Sequence, residues 1–247
     1  MRYVILGMHK SGTTLVSRIL HKSNLNMGVF DESIDYDSGN QFEREEFNVI
    51  NKEILRCGRK SSLLVTKKVK SNKIDGKIYE KAYSAVQNLD IKYTDWGFKD
   101  PRTCLTYTFW KQIISDHKLI VVVRDPHEVW LHYMKKGKKR NKLAQLAIAI
   151  LALRAWYIYN KHVLEIIKNN NNEILIIDYT NLMSSRGEFD KLSEFVNMKL
   201  IDCRDNSYYR SKKNKSTLYN RILLLCKQFL NIDISKVYKD ILHYSNR

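Results

Sequence analysis

Apolar and polar positions alternate along the chain in a way that predicts strands separated by helices. Arg2 to Leu6 is a short apolar run ended by Gly7, followed by a glycine-containing turn and then Leu15, Ile19 and Leu20 at helical spacing. This opening reads strand, loop, helix. A polar loop rich in Asp, Ser and Gly leads into Asn40 to Arg56, where Phe42, Phe47, Ile50, Ile54 and Leu55 recur among charges as in an amphipathic helix. Gly58 to Lys77 is rich in Lys and Ser with weak periodicity, so it reads as a mobile excursion or a lid over a site. Tyr79 to Leu89 predicts a helix, Trp96 to Lys99 a strand end, and Leu119 to Val123 an all-apolar strand stopped by Arg124, Asp125 and Pro126. A basic block (Lys135, Lys136, Lys138, Lys139, Arg140, Lys142) precedes a long helix to about Lys168 and a strand over Ile174 to Ile177. The most apolar stretch of that helix, Leu143 to Leu153, is broken by Gln145 and is shorter than the ~18 residues a membrane span needs, which predicts a buried helix. A last helix is expected near Leu218 to Leu230.

Strands alternating with helices predict an α/β fold with a parallel sheet flanked by helices. Pro101 and Pro126, the only prolines, each follow an aspartate at a strand end, which places two loops at one rim of that sheet.

Composition narrows the class. The 247 residues are 44% apolar with only 9 Gly and 2 Pro, which excludes a disordered or collagen-like chain and suits one globular domain over 1–247 with a helical tail from about 205. Cys57, Cys104, Cys203 and Cys226 form no CxxC pair, so they read as inert thiols of a reducing compartment, with no metal site. The opening MRYVILGMHKSGTT has no signal-peptide pattern, and a cytoplasmic location is expected. The 43 Lys plus Arg against 26 Asp plus Glu give a formal charge of +17, open to nucleic acid, an anionic membrane face, a polyanionic substrate or plain solvated surface.

Candidate chemistry concentrates in Gly7-Met8-His9-Lys10-Ser11-Gly12-Thr13-Thr14, between the first strand and the first helix. That context suits an anion held by backbone N–H groups and a helix dipole. The nucleoside triphosphatase pattern GxxxxGK[ST] would put lysine where Thr13 stands, whereas the lysine of this loop is Lys10.

The HKSGTTL segment resembles the 5′-phosphosulfate loop of sulfotransferases that use 3′-phosphoadenosine 5′-phosphosulfate (PAPS). The strand-end segment VVVRDPHEVWLH is similar to their 3′-phosphate element, supplying Arg124 and Pro126, with His132 at the eighth position after the arginine where the family has Ser. QFEREEFNVINKEIL, WGFKDPRTCLTYTFW and IIDYTNLM resemble segments of bacterial polysaccharide sulfotransferases.

The resemblance implies a P-loop-like sulfotransferase fold and transfer of a sulfuryl group to a carbohydrate, in a surface polysaccharide or lipid-linked glycan. It assigns His9, Lys10, Ser11, Gly12, Thr13, Thr14, Arg124 and His132 to the co-substrate, and Lys10, Glu43, Lys99 and Arg102 to catalysis. Glu43 is the candidate base, with Glu46 as its rival and simple helix-dipole pairing as the bland reading of both. Lys99 and Arg102 either contact the sulfuryl group or an acidic glycan, or pair structurally with Asp100. His9 reads more as a packing or capping group than a base, the four tryptophans (Trp96, Trp110, Trp130, Trp156) as core, and Lys212 with Lys213 as a basic loop over the 3′-phosphate or plain surface. Two other functions stay open: a kinase, with the strand ending at Asp178 supplying a metal-binding acid, and a nucleic-acid binder resting on the charge.

Overall fold

The computed structural model describes residues 1–31, 42–58, 60–67, 73–136, 141–205 and 216–245. Four strands, β1 (Arg2–Leu6), β2 (Trp96–Lys99), β3 (Lys118–Val123) and β4 (Ile174–Asp178), form one sheet in the order β2-β1-β3-β4. Every pairing is parallel: Val4 lies opposite Phe98 on one side and Leu119 on the other, and Val122 opposite Ile177. Parallel neighbours need long crossovers. Here α1 (Thr13–Lys22), α2 (Glu45–Leu55) and α3 (Gly76–Lys92) connect β1 to β2, α4 (Thr103–Ile113) connects β2 to β3, and α5 (Pro126–Lys136) with α6 (Lys142–Lys168) connects β3 to β4. After β4 come α7 (Tyr179–Ser184), α8 (Gly187–Val196), α9 (Thr217–Leu230) and α10 (Ile234–Ser245).

The strands are apolar along their middles, with charged residues only at their ends, because both faces of the sheet are covered. Val4, Leu6, Leu119, Val121 and Val123 point into a larger core shared with α2 to α6, α9 and α10. Their neighbours Tyr3, Ile5, Ile120 and Val122 point the other way, onto α1, α7 and α8. Asp75, Asn141 and Ser216 begin α3, α6 and α9 by accepting a backbone N–H into their side chains.

Because all four strands run the same way, their C-terminal ends share one rim, and the loops carrying Pro101 and Pro126 lie on it as the sequence predicts. The chain leaves β1 for β2 on one side and places β3 on the other. The crevice between the ends of β1 and β3 is therefore the position where open α/β sheets bind ligands.

Several expectations are corrected in detail. The helix over Tyr79 to Leu89 extends from Gly76 to Lys92, and Trp96 to Lys99 is a complete strand buried at all four residues. The long helix α6 is not buried along the whole of Leu143 to Leu153: Leu143 is 80% exposed, and full burial begins at Ala149. At 27 residues α6 also has the length and apolar composition of a membrane span, contrary to the reading of its apolar run as too short. Its Trp156, Tyr159 and Val163 are nevertheless fully buried inside this protein, where it packs on α4, α5 and α10. In the Gly58 to Lys77 excursion, Leu63 and Val65 are core residues and Ser62–Leu64 forms a short 3₁₀ turn against α6. Residues 59 and 68–72 of that excursion lie outside the described residues. All four tryptophans are buried, as expected. The four cysteines are free, and burial pushes the Cys104 thiol up to about 12.

Candidate active site

The loop after β1 is shaped by close packing. A Cβ on Gly7 would come within 2.6 Å of the Thr13 methyl and the Val122 carbonyl oxygen, so the backbone there passes where no other residue fits. The Ser11 N–H and hydroxyl both donate to the Met8 carbonyl, at 3.1 and 2.7 Å, and close the turn. Lys10 (φ 65°) and Gly12 (φ 98°) occupy left-handed backbone. For lysine that conformation costs about 1 kcal/mol or more. Gly12 then begins α1 with no side-chain cap and no acid in the first turn, leaving the positive end of the helix dipole at the rim.

Arg124, at the end of β3, joins this loop directly. Its Nη1 donates to the Lys10 carbonyl at 3.2 Å, its Nε pairs with Glu128 at 2.8 Å, and its guanidinium lies 4.6 Å from the centre of the Tyr179 ring. The same ring covers Gly12, where an added Cβ would be 1.9 Å from a ring carbon. Trp156 of α6 fixes the backbone by donating to the Arg124 carbonyl at 3.1 Å.

The segment after β2 supplies the other half. Lys99 is 2% exposed and its Nζ donates to Glu43 Oε1 at 2.9 Å; Asn48 Nδ2 donates to the other carboxylate oxygen at 2.8 Å. Burial pushes the Lys99 pKa down, and Glu43 opposes that shift. Glu43 precedes the Arg44 N-cap of α2, and its carboxylate bridges Lys99 and Asn48 of α2; Glu45 and Glu46 occupy the first turn. Arg102 pairs with Asp100 at 3.0 Å, which is the structural pairing that the sequence left open for it. Asp100 is fully buried, and its pKa is raised first by burial and then by the charge of Glu43.

Sequence reasoning missed Asn51, which holds this half in place. Its Nδ2 donates to Asp100 and Thr103, and its Oδ1 accepts from Thr106 and Trp110. Asn51 interrupts the apolar face of α2, four residues after Phe47 and three before Ile54, and that lone polar residue on an apolar face was the signal that could have found it.

His9 packs edge-on to Tyr159, with ring centres 5.6 Å apart, as the packing reading expected. Burial, then the charges of Arg102, Lys99 and Lys10, push its pKa down to about 3, so it is neutral at pH 7. The structure thus gathers His9, Lys10, Ser11, Gly12, Thr13, Arg124, Glu43, Lys99 and Arg102 around one rim, with Thr14 on the first turn of α1. His132 lies eight residues beyond Arg124 within α5, edge-on to Tyr133. Lys212 and Lys213 lie outside the described residues, as do Lys138, Lys139 and Arg140 of the basic block. Asp178, the acid on which the kinase reading rests, caps α7 through Thr180 N–H and accepts from the Tyr238 hydroxyl at 3.2 Å. An open cleft of about 590 Å³ lined by His21, Lys22 and Asn26 sits at the far end of α1 from the loop.

With a parallel sheet, a glycine loop and a strand-end arginine on one crevice, comparison with known proteins becomes decisive. The family model described as "Sulfotransferase family" matches residues 3–202. The chain belongs to the sulfotransferase family. No curated protein matches it. Among solved structures, this sulfotransferase is similar to the sulfotransferase domain from the Synechococcus PCC 7002 olefin synthase, with a TM-score of 0.57 and 13% identity over 98% of this chain and 94% of that one. It is also similar to the sulfotransferase STF9 from Mycobacterium avium, with a TM-score of 0.51 and 11% identity over 93% of this chain and 76% of that one. These likenesses carry the fold: the sheet flanked by helices is the P-loop-like sulfotransferase architecture expected from the sequence. Among the described residues no group of three or more His, Cys, Asp or Glu side chains is placed to hold a metal ion.

Proposed function

We propose that this sulfotransferase, as one domain over 1–247, takes its sulfuryl group from PAPS and transfers it to a hydroxyl or amine of a carbohydrate, in a surface polysaccharide or lipid-linked glycan. The observation that carries the donor is the 3.2 Å contact of Arg124 Nη1 with the Lys10 carbonyl. It brings the strand-end arginine beside the uncapped start of α1, which supports a reading with two neighbouring places for phosphate, as a donor phosphorylated at both the 3′ and 5′ positions requires. The residues fit such a group: the first turn of α1 has no acid to repel it, and Lys10, Lys99, Arg102 and Arg124 surround the crevice.

PAPS brings an activated sulfuryl group whose bond to the 5′-phosphate oxygen breaks as the bond from sulfur to the acceptor oxygen or nitrogen forms. Catalysis of such transfer is mainly positioning and electrostatics. In our reading the α1 N–H groups and the Thr13 and Thr14 hydroxyls hold the 5′-phosphate, Ser11 shapes the loop through its bonds to the Met8 carbonyl, and Lys10 neutralises the charge left on the phosphate. Arg124 holds the 3′-phosphate, with His132 in the position of the family's Ser. Glu43 takes the acceptor proton, held in orientation by Lys99 and Asn48. In the same reading Lys99, paired with Glu43, and Arg102, paired with Asp100, supply positive charge on the side of the sulfuryl group. The acceptor assignment rests on the likeness of the Glu43 and Lys99 segments to polysaccharide sulfotransferases. We place the protein in the cytoplasm, peripheral to the inner membrane face, with no nucleic-acid partner.

The test is a thermal-shift titration with 3′-phosphoadenosine 5′-phosphate (PAP), run beside 5′-AMP and ATP with Mg²⁺. A ligand at 100 times its Kd adds about 2.7 kcal/mol, a shift of several degrees. Stabilisation by PAP that Arg124→Ala abolishes is the expected result. Stabilisation by ATP with Mg²⁺ alone overturns the donor and returns the kinase reading.

A further inference from the structure

The C-terminal helices lie beyond residue 202, where the family match ends. Of them, α9 is the anomaly. It buries Tyr219, Ile222 and Cys226 against the body, as an amphipathic helix should. Yet Leu218, Leu224, Leu225, Phe229 and Leu230 are 45%, 59%, 52%, 78% and 55% exposed. Leu218, Leu225 and Phe229 are spaced by seven and four residues, so they form one stripe along the helix. No other helix of the described residues exposes so many large apolar side chains. Scattered exposed leucines need no explanation, but a contiguous stripe on one short helix marks a surface that something covers.

Charge selects what covers it. Helix α9 contains Arg221 and Lys227 and no acid. Lys227 is paired with Asp233 at 2.9 Å. From Asn206 to Arg247 the sequence has nine Lys or Arg against two Asp, within a chain of net charge +17. A second copy docked on this stripe would bring like charges together. An apolar stripe on a cationic helix matches an anionic lipid surface, where the apolar side chains enter the acyl boundary and the cations meet the headgroups.

We propose that α9 is a membrane-docking helix that seats this sulfotransferase on anionic bilayers. Its anchorage explains why that location serves the enzyme. Tyr219 packs on His127 and Trp130 in α5, at ring-centre distances of 4.7 and 5.4 Å. Helix α5 starts at Pro126, two residues after Arg124. The lipid-facing helix is therefore fastened beside the rim that holds the candidate active site, and docking brings that rim to the headgroup layer. The acceptor class this favours is a glycan carried on a lipid, which deepens the function proposed above and rests on it.

The experiment is sedimentation of the full chain with vesicles of phosphatidylcholine alone, or with about one third phosphatidylglycerol, at low and high salt. The expected result is binding to the anionic vesicles that Leu225→Glu with Phe229→Glu weakens at least about tenfold, since both side chains are exposed and the variant keeps its fold. An unchanged melting temperature and an unchanged PAP shift confirm that the variant is intact. Equal sedimentation of variant and wild type overturns the proposal, because net charge alone would then explain adsorption. No sedimentation of the wild type overturns it as well, and if size-exclusion then shows a dimer that the variant breaks, the stripe is a self-association surface. A wild type that binds vesicles but shows no PAP shift leaves α9 as a docking helix and removes the PAPS reading.

Discussion

At the scale of single residues, the candidate site is a set of charges whose partners set their behaviour. Lys10 is held in left-handed backbone with its carbonyl on Arg124, an arrangement that keeps the loop and the strand end together whatever its side chain does. Lys10→Ala is therefore expected to leave the fold and the melting temperature intact while turnover falls about 10²- to 10³-fold. Steady-state rates beside a melting curve check it. Glu43→Gln keeps one acceptor oxygen, which can serve Lys99, but gives up the second acceptor that Asn48 uses and is no base, and a loss of about 10²- to 10⁴-fold in kcat with an unchanged PAP shift is expected. Two histidines set a pH dependence of stability. Burial pushes His9 down to about 3 and His117 to about 4, both below the usual 6.5. The unfolded chain therefore takes up these protons first, so stability is complete above pH 6.5 and falls as pH drops toward 4. Melting curves between pH 7 and 4 should show this decline, and His117→Asn should flatten it. Lys10, Glu43 and Arg124 were all legible as candidates because chemistry-bearing residue types stand at motif positions. Asn51 was legible only as a lone polar residue on an apolar face, because its importance lies in four hydrogen bonds to residues 49 to 59 positions away.

At the scale of elements, the loop and α1 depend on one contact that sequence does not show. Gly12 is required by its positive φ and also by the Tyr179 ring lying where its side chain would be. Gly12→Ala is expected to lower stability by more than about 1 kcal/mol and to abolish the PAP shift, since the first turn of α1 must move. Adding Tyr179→Ala should recover part of the stability by removing the clash and none of the cost of φ; denaturant unfolding of the two variants separates these contributions. The strands were legible as apolar runs because both sheet faces are covered, and their bounds came within a residue. Helix ends were less legible. Helix α3 runs three residues beyond each expected end because Asp75, a cap outside the apolar periodicity, starts it, and Asp90, the exposed Ile91 and Lys92 extend it without adding to the buried face. The start of α6 was mistaken for core because an apolar composition does not say which residues meet a partner, and Leu143 meets none of the core.

At the scale of the whole molecule, strand order creates the site. Residues 10, 43, 99, 102 and 124 come from four separate stretches, and they meet because β1 lies between β2 and β3 with all C-terminal ends on one rim. What the sequence by itself determined is local: the apolar strands, the loop with its displaced lysine, the paired Asp-Pro turns and the excess of positive charge. These depend on residue type and spacing along the chain, which tie backbone conformation and burial to neighbours a few positions away. The tertiary structure alone decided that Glu43 faces Lys99, that Tyr179 closes over Gly12 and Arg124, that Asn51 bonds Asp100 and Trp110, and that α9 leaves an apolar stripe uncovered. Each is a contact, or the lack of one, between parts distant in sequence. Such contacts are fixed by how sheet and helices pack in space, and no spacing along the chain encodes them one residue at a time.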